Sequence, residues 1–176
     1  MAIPDPTPAK SQLRKIMREK LRDPQPSSDK ACAALDRWLL AHPALSTIAV
    51  YSPLPGEVDL SKTLLARPDI DWVYPKITGH HLSFHHGRNL ATGSFGILEP
   101  DDSSEETPIA EIDAFLCPGL AFDKSGGRLG RGRGFYDRML ARARPDALKL
   151  GICFEFQMVP DTFPESHDVM MDAVIC

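Results

Sequence analysis

Residues 114–140 read AFLCPGLAFDKSGGRLGRGRGFYDRML and place a strand, a glycine-rich loop and a helix in direct succession. The first four residues are all apolar, which is typical of a strand buried on both faces. Six glycines follow between positions 119 and 134, so the backbone there can turn at positive φ and approach a bound molecule closely. A helix is predicted over 135–143, directly after the last of these glycines. The succession of strand, loop and helix is typical of an α/β fold.

Hydrophobic periodicity extends this pattern along the rest of the chain. Apolar residues at helical spacing predict three further helices, over 8–21, 28–42 and 59–66. Short apolar runs predict strands over 48–51, 72–75, 81–86, 114–117, 149–154 and 173–176. The polar residues 99–111 predict a loop. We therefore predict a single α/β domain over residues 1–176, with residues 1–8 frayed. Its architecture is predicted to be a three-layer sandwich with a mostly parallel central sheet flanked by helices.

Composition and charge limit the classes of function. The chain has 176 residues, of which 43% are hydrophobic, and a formal net charge of −4. These values fit one globular domain and disfavour a general nucleic-acid binder. No apolar run is long enough to span a membrane, and the first ten residues lack the apolar segment of a secretory signal. We therefore expect a cytoplasmic monomer without a nucleic-acid or membrane partner.

The glycine-rich loop concentrates positive charge within an acidic chain, because it carries Arg128, Arg131 and Arg133. Arginines set between glycines can make bidentate contacts to phosphate oxygens, and the start of the following helix presents free N–H groups to the same anion. The loop lacks the Gly-Lys-Ser or Gly-Lys-Thr of a Walker A loop and the spacing of the dinucleotide-binding fingerprint. The pattern therefore indicates a small anionic ligand without specifying it.

Three other interpretations of this loop remain open on the residues alone. It could be a flexible surface turn whose arginines are solvated. It could be a short Arg-Gly segment of an RNA-binding module, although such segments usually occur in long basic disordered runs. It could also be the phosphate loop of another α/β enzyme, such as a sugar-phosphate isomerase, because a fold does not determine a function.

Two further segments carry candidate ligand contacts. Lys10 and Arg14 lie one turn apart on the first predicted helix, where they are either solvated or directed at a ligand. Residues 51–60, YSPLPGEVDL, follow the first predicted strand directly. Ligands of open α/β sheets bind at the carboxyl ends of strands, so Glu57 is either an exposed loop acid or a ligand contact.

Residues 118–137 strongly resemble the signature of the 5-formyltetrahydrofolate cyclo-ligase family, P-G-x-x-F-D-x-x-G-x-R-L-G-x-G-x-G-Y-Y-D. Phe135 replaces the commoner first tyrosine. Other family motifs follow in the same order along nearly the whole chain. They are the opening K-x-x-x-R at Lys10 and Arg14, the E-V-D stretch at 57–59, the Tyr-Pro-Lys element at 74–76, the G-I-x-E-P turn at 96–100 and the closing H-D-x-x-x-D at 167–172.

The resemblance implies an ATP- and Mg²⁺-dependent cyclisation of 5-formyltetrahydrofolate to 5,10-methenyltetrahydrofolate, with release of ADP and phosphate. It implies that Glu57 accepts from N–H groups of the pterin and that the aromatic rings of Tyr136 and Phe95 stack on flat rings. Lys76 and Arg88 are candidates for attracting the anionic folate tail by the sign of their charge alone. The implied ATP contacts are Lys10, Arg14, Arg128, Leu129, Gly130, Arg131, Gly132, Arg133, Gly134, Phe135 and Tyr136, with Arg131 and Arg133 as catalytic residues. The implied substrate contacts are Ser52, Glu57 and Tyr136, and the implied Mg²⁺ ligands are Asp137 and Asp172.

Overall fold

A computed structural model describes residues 7–78, 81–87, 90–93 and 98–176 of the chain. Within these ranges the helices are α1 (Pro8–Lys20), α2 (Asp29–Leu40), α3 (Ser61–Ala66) and α4 (Phe135–Leu140). The strands are β1 (Thr47–Ala49), β2 (Asp71–Thr78), β3 (His81–His86), β4 (Leu90–Thr92), β5 (Leu98–Pro100), β6 (Glu106–Thr107), β7 (Ala114–Cys117), β8 (Ala121–Phe122), β9 (Arg128–Leu129), β10 (Leu148–Ile152) and β11 (Ala173–Ile175). Among these helices, none is long and apolar enough to cross a bilayer.

Seven of these strands form the central sheet, in the order β11-β10-β7-β1-β2-β3-β6. The pairings from β11 to β2 are parallel, whereas β3 pairs antiparallel with both β2 and β6. Two short hairpins, β4–β5 and β8–β9, lie outside this sheet. The prediction of a mostly parallel central sheet is therefore confirmed.

The sheet is covered by helices on both faces. Ile48 packs into one hydrophobic cluster with Leu35 and Leu39 of α2, whereas the next residue, Ala49, packs into a second cluster with Met139 of α4. This alternation follows from the two-residue period of a strand, whose successive side chains point to opposite faces. The predicted sandwich of helices around a sheet is thus confirmed.

Helix α1 packs against the glycine-rich loop. Met17 is fully buried in a third cluster with Leu120, Ala121 and Leu129, all from the β8–β9 region. The helix begins with Pro8 in its first turn, where proline is well tolerated, and the side chain of Thr7 accepts a hydrogen bond from the N–H of Lys10. The third cluster therefore holds the basic face of α1 beside the loop.

Residues 99–111 differ from the predicted loop. They include the end of β5, the edge strand β6 and a 3-10 turn at Ile109–Glu111. The prediction failed because an edge strand of two residues, here polar, has no apolar run to reveal it. The hairpin β8–β9 inside the glycine-rich loop was missed for the same reason, since each of its strands also has two residues.

Candidate active site

A cavity of about 870 Å³ opens at the carboxyl-terminal edge of the parallel strands. Its walls come from α1, from the segments that follow β1 and β7, from the second half of β2 and from residues 128–138. Residues of the connection between β10 and β11 line a further side, namely Glu165, His167 and Asp168. This is the edge at which ligands of open α/β sheets bind.

The first half of the glycine-rich loop is organised by Asp123. Its Oδ1 accepts hydrogen bonds from the N–H groups of Ser125 and Gly127, and its Oδ2 accepts from the N–H and the hydroxyl of Thr162. Burial disfavours the charged form, but these hydrogen bonds outweigh burial and lower the pKa of Asp123. Gly126 has φ of 89°, and a Cβ there would lie 2.3 Å from the carbonyl oxygen of Met171. This half of the loop therefore has a structural role. Asp123 belongs to the motif of residues 118–137, but the motif alone does not reveal that role.

The second half of the loop is held open to the cavity by arginines of α1. Arg14 donates from Nε to the carbonyl oxygen of Gly130 at 3.2 Å, and Arg18 donates to that of Arg131 at 3.0 Å. Gly132 and Gly134 have φ of 98° and 61°, so the backbone passes through the left-handed region twice before α4 begins. Burial and the neighbouring Arg18 lower the pKa of Arg14, which reflects the concentration of positive charge there.

Lys10 is buried in the wall of the cavity. Its Nζ forms ion pairs with Asp168 and, at 3.4 Å, with Glu165. The interpretation of Lys10 as a solvated surface residue is therefore excluded. Sequence reasoning missed both acids, although Asp168 belongs to the His-Asp pair at 167–168 that the family motif contains.

Arg128 lies beneath the loop. Its Nη2 donates to Oδ1 of Asp137 at 3.0 Å, its Nη1 donates to the carbonyl oxygen of Pro118 at 3.3 Å, and its guanidinium lies 5.2 Å from the ring centroid of Tyr136. The side chain of Arg128 is only 3% exposed. These contacts make Arg128 a residue that positions Asp137 and Tyr136 in the cavity wall.

Glu57 and Arg131 are joined across the cavity. Nε and Nη2 of Arg131 both donate to Oε1 of Glu57, at 3.2 and 3.0 Å, while Oε2 accepts from the N–H of Leu54 at 2.9 Å. The side chain of Glu57 is 6% exposed, so it is not an exposed loop acid. Burial raises the pKa of Glu57, and the hydrogen bond from Leu54 and the charge of Arg131 oppose that rise without cancelling it.

Of the remaining candidates, Ser52, Phe135 and Tyr136 line the cavity. Ser52 is buried and its hydroxyl donates to the carbonyl oxygen of Leu98 in β5. Phe135 and Tyr136 line the cavity from the start of α4, and burial raises the pKa of Tyr136 well above its usual value. Lys76 pairs with Asp102 at 2.6 Å and does not line the cavity.

Leu129 and Asp172 are also candidates that do not line the cavity. Leu129 is buried in the third cluster. Asp172 directly precedes β11, and its Oδ2 accepts from the N–H of Lys149 near the start of β10. In a parallel sheet, a residue that precedes one strand lies at the opposite end of the strands from the residues that follow the neighbouring strands. Asp172 is therefore separated from Asp137, which lines the cavity. In the parts of the chain that the structure describes, no three or more His, Cys, Asp or Glu side chains form a group that could hold a metal ion. The candidates Phe95 and Arg88, and the motif residues 96 and 97, lie outside the described residues.

The cavity is lined by two chemically different groups of residues, here called its basic half and its apolar half. The basic half is formed by Lys10, Arg14, Arg131 and Arg133. The apolar half is formed by Pro75, Ile77 and Leu82. Ile77 and Leu82 are cross-strand partners in β2 and β3, and Pro75 lies two residues before Ile77 on the same face of β2. One half suits phosphate oxygens, and the other suits a flat ring system.

Fold and cavity together define an α/β protein with one cavity that is lined both by basic residues and by apolar residues of β2 and β3. A sequence model of the 5-formyltetrahydrofolate cyclo-ligase family matches residues 6–176. The chain therefore belongs to the 5-formyltetrahydrofolate cyclo-ligase family.

Individual relatives agree with this assignment. The chain is 34% identical to the 5-formyltetrahydrofolate cyclo-ligase of Mycolicibacterium smegmatis, over 95% of this chain and 93% of that protein. It is similar in structure to the 5,10-methenyltetrahydrofolate synthetase of Aquifex aeolicus, with a TM-score of 0.80 and 30% identity over 94% of this chain and 88% of that one. The synthetase of Mycoplasma pneumoniae gives a TM-score of 0.78 and 28% identity, over 94% and 97% of the two chains.

Proposed function

We propose that this chain catalyses the ATP- and Mg²⁺-dependent cyclisation of 5-formyltetrahydrofolate to 5,10-methenyltetrahydrofolate, with release of ADP and phosphate. The observation that carries the proposal is the ion pair between Arg131 and Glu57, because it sets an arginine of the basic half beside a buried carboxylate in the same cavity. The names of the relatives from Mycolicibacterium smegmatis and Aquifex aeolicus support the same substrate and product.

The folate ring occupies the apolar half in this proposal. Its reduced pterin carries N–H groups that need acceptors once they are buried, and the buried carboxylate of Glu57 supplies one. Pro75, Ile77 and Leu82 provide the apolar contact surface, and the partly buried ring of Tyr136 stacks on a flat ring. Ser52 holds the loop after β1 against β5 through Leu98.

The triphosphate of ATP occupies the basic half. Lys10 gives up its contacts with Asp168 and Glu165 in exchange for phosphate oxygens, and Arg14 and Arg133 add further positive charge. Arg131 contacts both substrates because it already reaches Glu57. Residues 130–134 line the same cavity.

Asp137 is the carboxylate that fits Mg²⁺ in this half of the cavity. It lines the cavity and is held in place by Arg128, and Mg²⁺ beside a triphosphate takes few protein ligands because phosphates and waters supply the rest. When bound, the ion neutralises charge on the phosphates during transfer. Asp172 has no part in this proposal, because it lies outside the cavity.

The reaction follows from the chemistry of the two substrates. The formyl group on N5 is an amide, and its oxygen becomes a good leaving group once it receives the γ-phosphoryl group of ATP. N10 of the same folate then attacks the formyl carbon and loses its proton, the formyl oxygen leaves as part of phosphate, and the methenyl bridge closes. The chain has to align the two substrates and neutralise the phosphates, which is the task of Arg131, Arg133 and Lys10.

The test is the absorbance of the methenyl product when purified protein meets 5-formyltetrahydrofolate, with and without Mg-ATP. We expect product only with Mg-ATP, and a loss of about 100-fold in kcat/KM for the folate in Glu57→Gln, since a buried charged acceptor is lost. Glu106→Gln changes an exposed residue of β6 outside the cavity. It is the matched control and should leave kcat and KM for the folate unchanged. A folded protein that binds ATP but makes no product would point to a different ATP-dependent reaction.

A further inference from the structure

Glu99 is a second buried glutamate in the wall of the same cavity. It lies in β5, is 6% exposed, and lines the cavity together with Glu57. Its Oε1 is buried and has no hydrogen-bond partner among the residues that the structure describes. Its carboxyl group packs against Gly93, where a Cβ would come within 2.5 Å of Oε2. A buried acceptor without a partner costs stability, so it calls for a functional explanation.

The position of Glu99 is fixed by the site itself. The preceding residue, Leu98, accepts the hydroxyl hydrogen bond of Ser52, and β5 packs beside β2, which carries Pro75 and Ile77 of the apolar half. The carboxyl group of Glu99 therefore belongs to the apolar half of the cavity. A carboxylate there repels phosphates and folate tails, and it favours a ligand rich in N–H donors.

Glu57 alone has too few acceptor positions for such a ligand. A carboxylate offers about four lone-pair sites. Two of those on Glu57 receive Arg131 and a third receives the N–H of Leu54. A reduced pterin presents its amino group and two ring N–H groups, which together offer more donors than the free capacity of Glu57.

We propose that the carboxyl group of Glu99 is a second acceptor for the N–H groups of the reduced pterin, opposite Glu57 in the apolar half. This inference rests on the proposed folate substrate and deepens it. It assigns the recognition of the ring to two carboxylates from different segments, one after β1 and one in β5.

The test is Glu99→Gln, which keeps the shape of the side chain and replaces an acceptor oxygen by a donor. We expect KM for 5-formyltetrahydrofolate to rise about tenfold or more, the usual worth of a hydrogen bond to a charged acceptor. KM for ATP should stay within about twofold, and the thermal midpoint should be unchanged or higher because a buried charge is gone. Glu106→Gln is again the control, and Glu99→Asp, which keeps the charge, should fall between wild type and the glutamine variant.

The outcomes separate this inference from the proposed function. Wild-type protein that makes product, with KM for the folate unchanged in Glu99→Gln, would overturn the inference and leave the function standing. Equal losses for folate and ATP together with a lowered thermal midpoint would make Glu99 a structural residue and would also overturn it. Wild-type protein that neither binds the folate nor makes product would remove the proposed function and this inference together.

Discussion

The two halves of the cavity differ in how their charges are satisfied before any ligand binds. In the basic half, Lys10 is held by Asp168 and Glu165, and Arg131 is held by Glu57. In the apolar half, Glu99 keeps an oxygen without a partner among the described residues. Binding in the basic half is thus an exchange of partners, whereas binding in the apolar half supplies a partner that is missing. The first kind of site gains mainly specificity for charge, and the second gains affinity for a donor-rich ring.

Arg131→Ala breaks this comparison most severely, because Arg131 belongs to both halves. We expect kcat/KM for each substrate to fall about 1,000-fold, in the range found when an arginine that stabilises a transferring phosphoryl group is removed. The measurement is steady-state kinetics with each substrate varied in turn.

Arg37→Ala is the matched control, since Arg37 is an exposed arginine of α2 outside the cavity. If Arg131→Ala lowered kcat/KM for ATP but left kcat/KM for the folate unchanged, the ion pair between Arg131 and Glu57 would have no role in the enzyme–substrate complex.

Asp123→Asn tests the first half of the glycine-rich loop at residues 123–127, which support the basic half of the cavity without lining it. We expect the free energy of unfolding to fall by about 2 kcal/mol, since an amide nitrogen then faces an N–H donor in a buried site. Urea denaturation measures this change, with the exposed Asp23→Asn as its control.

The pH dependence of that effect has a defined sign. The pKa of Asp123 is lowered in the folded state, so its stabilisation is present above the unfolded pKa of about 3.9 and is lost as the pH falls through the folded value. An effect of Asp123→Asn that grew toward acid pH would contradict this account.

The smallest expected effect is a rise in KM for the folate at acid pH, the acid limb of its pH profile. This rise tests the apolar half of the cavity. Burial raises the pKa of Glu57 above its ordinary value of 4.5. In the proposed complex the carboxylate form of Glu57 accepts the pterin N–H groups, so KM for the folate should rise as the pH falls through this raised pKa. The pH profile of KM for the folate measures the limb, and the profile for ATP recorded in parallel should lack it.

Glu57→Gln is the reference for this experiment, because its amide does not titrate. The limb should be absent from that variant. A limb that persists there would belong to another group.

The basic half was largely predictable from the sequence because its residues lie in two short local segments, the first helix and the glycine-rich loop. Glycines and arginines at fixed spacing, next to a strand and a helix, indicate an anion site without any long-range information. The apolar half could not be predicted in this way. Pro75, Leu82 and Glu99 come from separate strands, and only the register of β2 with β3 and the packing of β5 bring them together.

Asp172 and Lys10 show where pattern reasoning reaches its limit. Asp172 follows Asp168 by only four residues. Between them the connection to β11 runs from the carboxyl ends of the strands to their amino ends, and no local sequence feature indicates this. Lys10 has the spacing of a solvated helix residue, but it is buried because two acids about 160 residues further along the chain fold back onto it.

The contact between Lys10 and Asp168 spans 158 positions of the chain. A ribosome therefore has to synthesise the chain as far as Asp168 before α1 meets both of its acidic partners. Contacts this distant in sequence close late, since the loop entropy must be overcome first. Until then α1, a helix of 13 residues that is marginally stable alone in water, can pack only on earlier segments such as those of Leu120 and Leu129. The proposed ATP contacts of Lys10 and Arg14 are thus assembled only after the chain has been synthesised as far as Asp168.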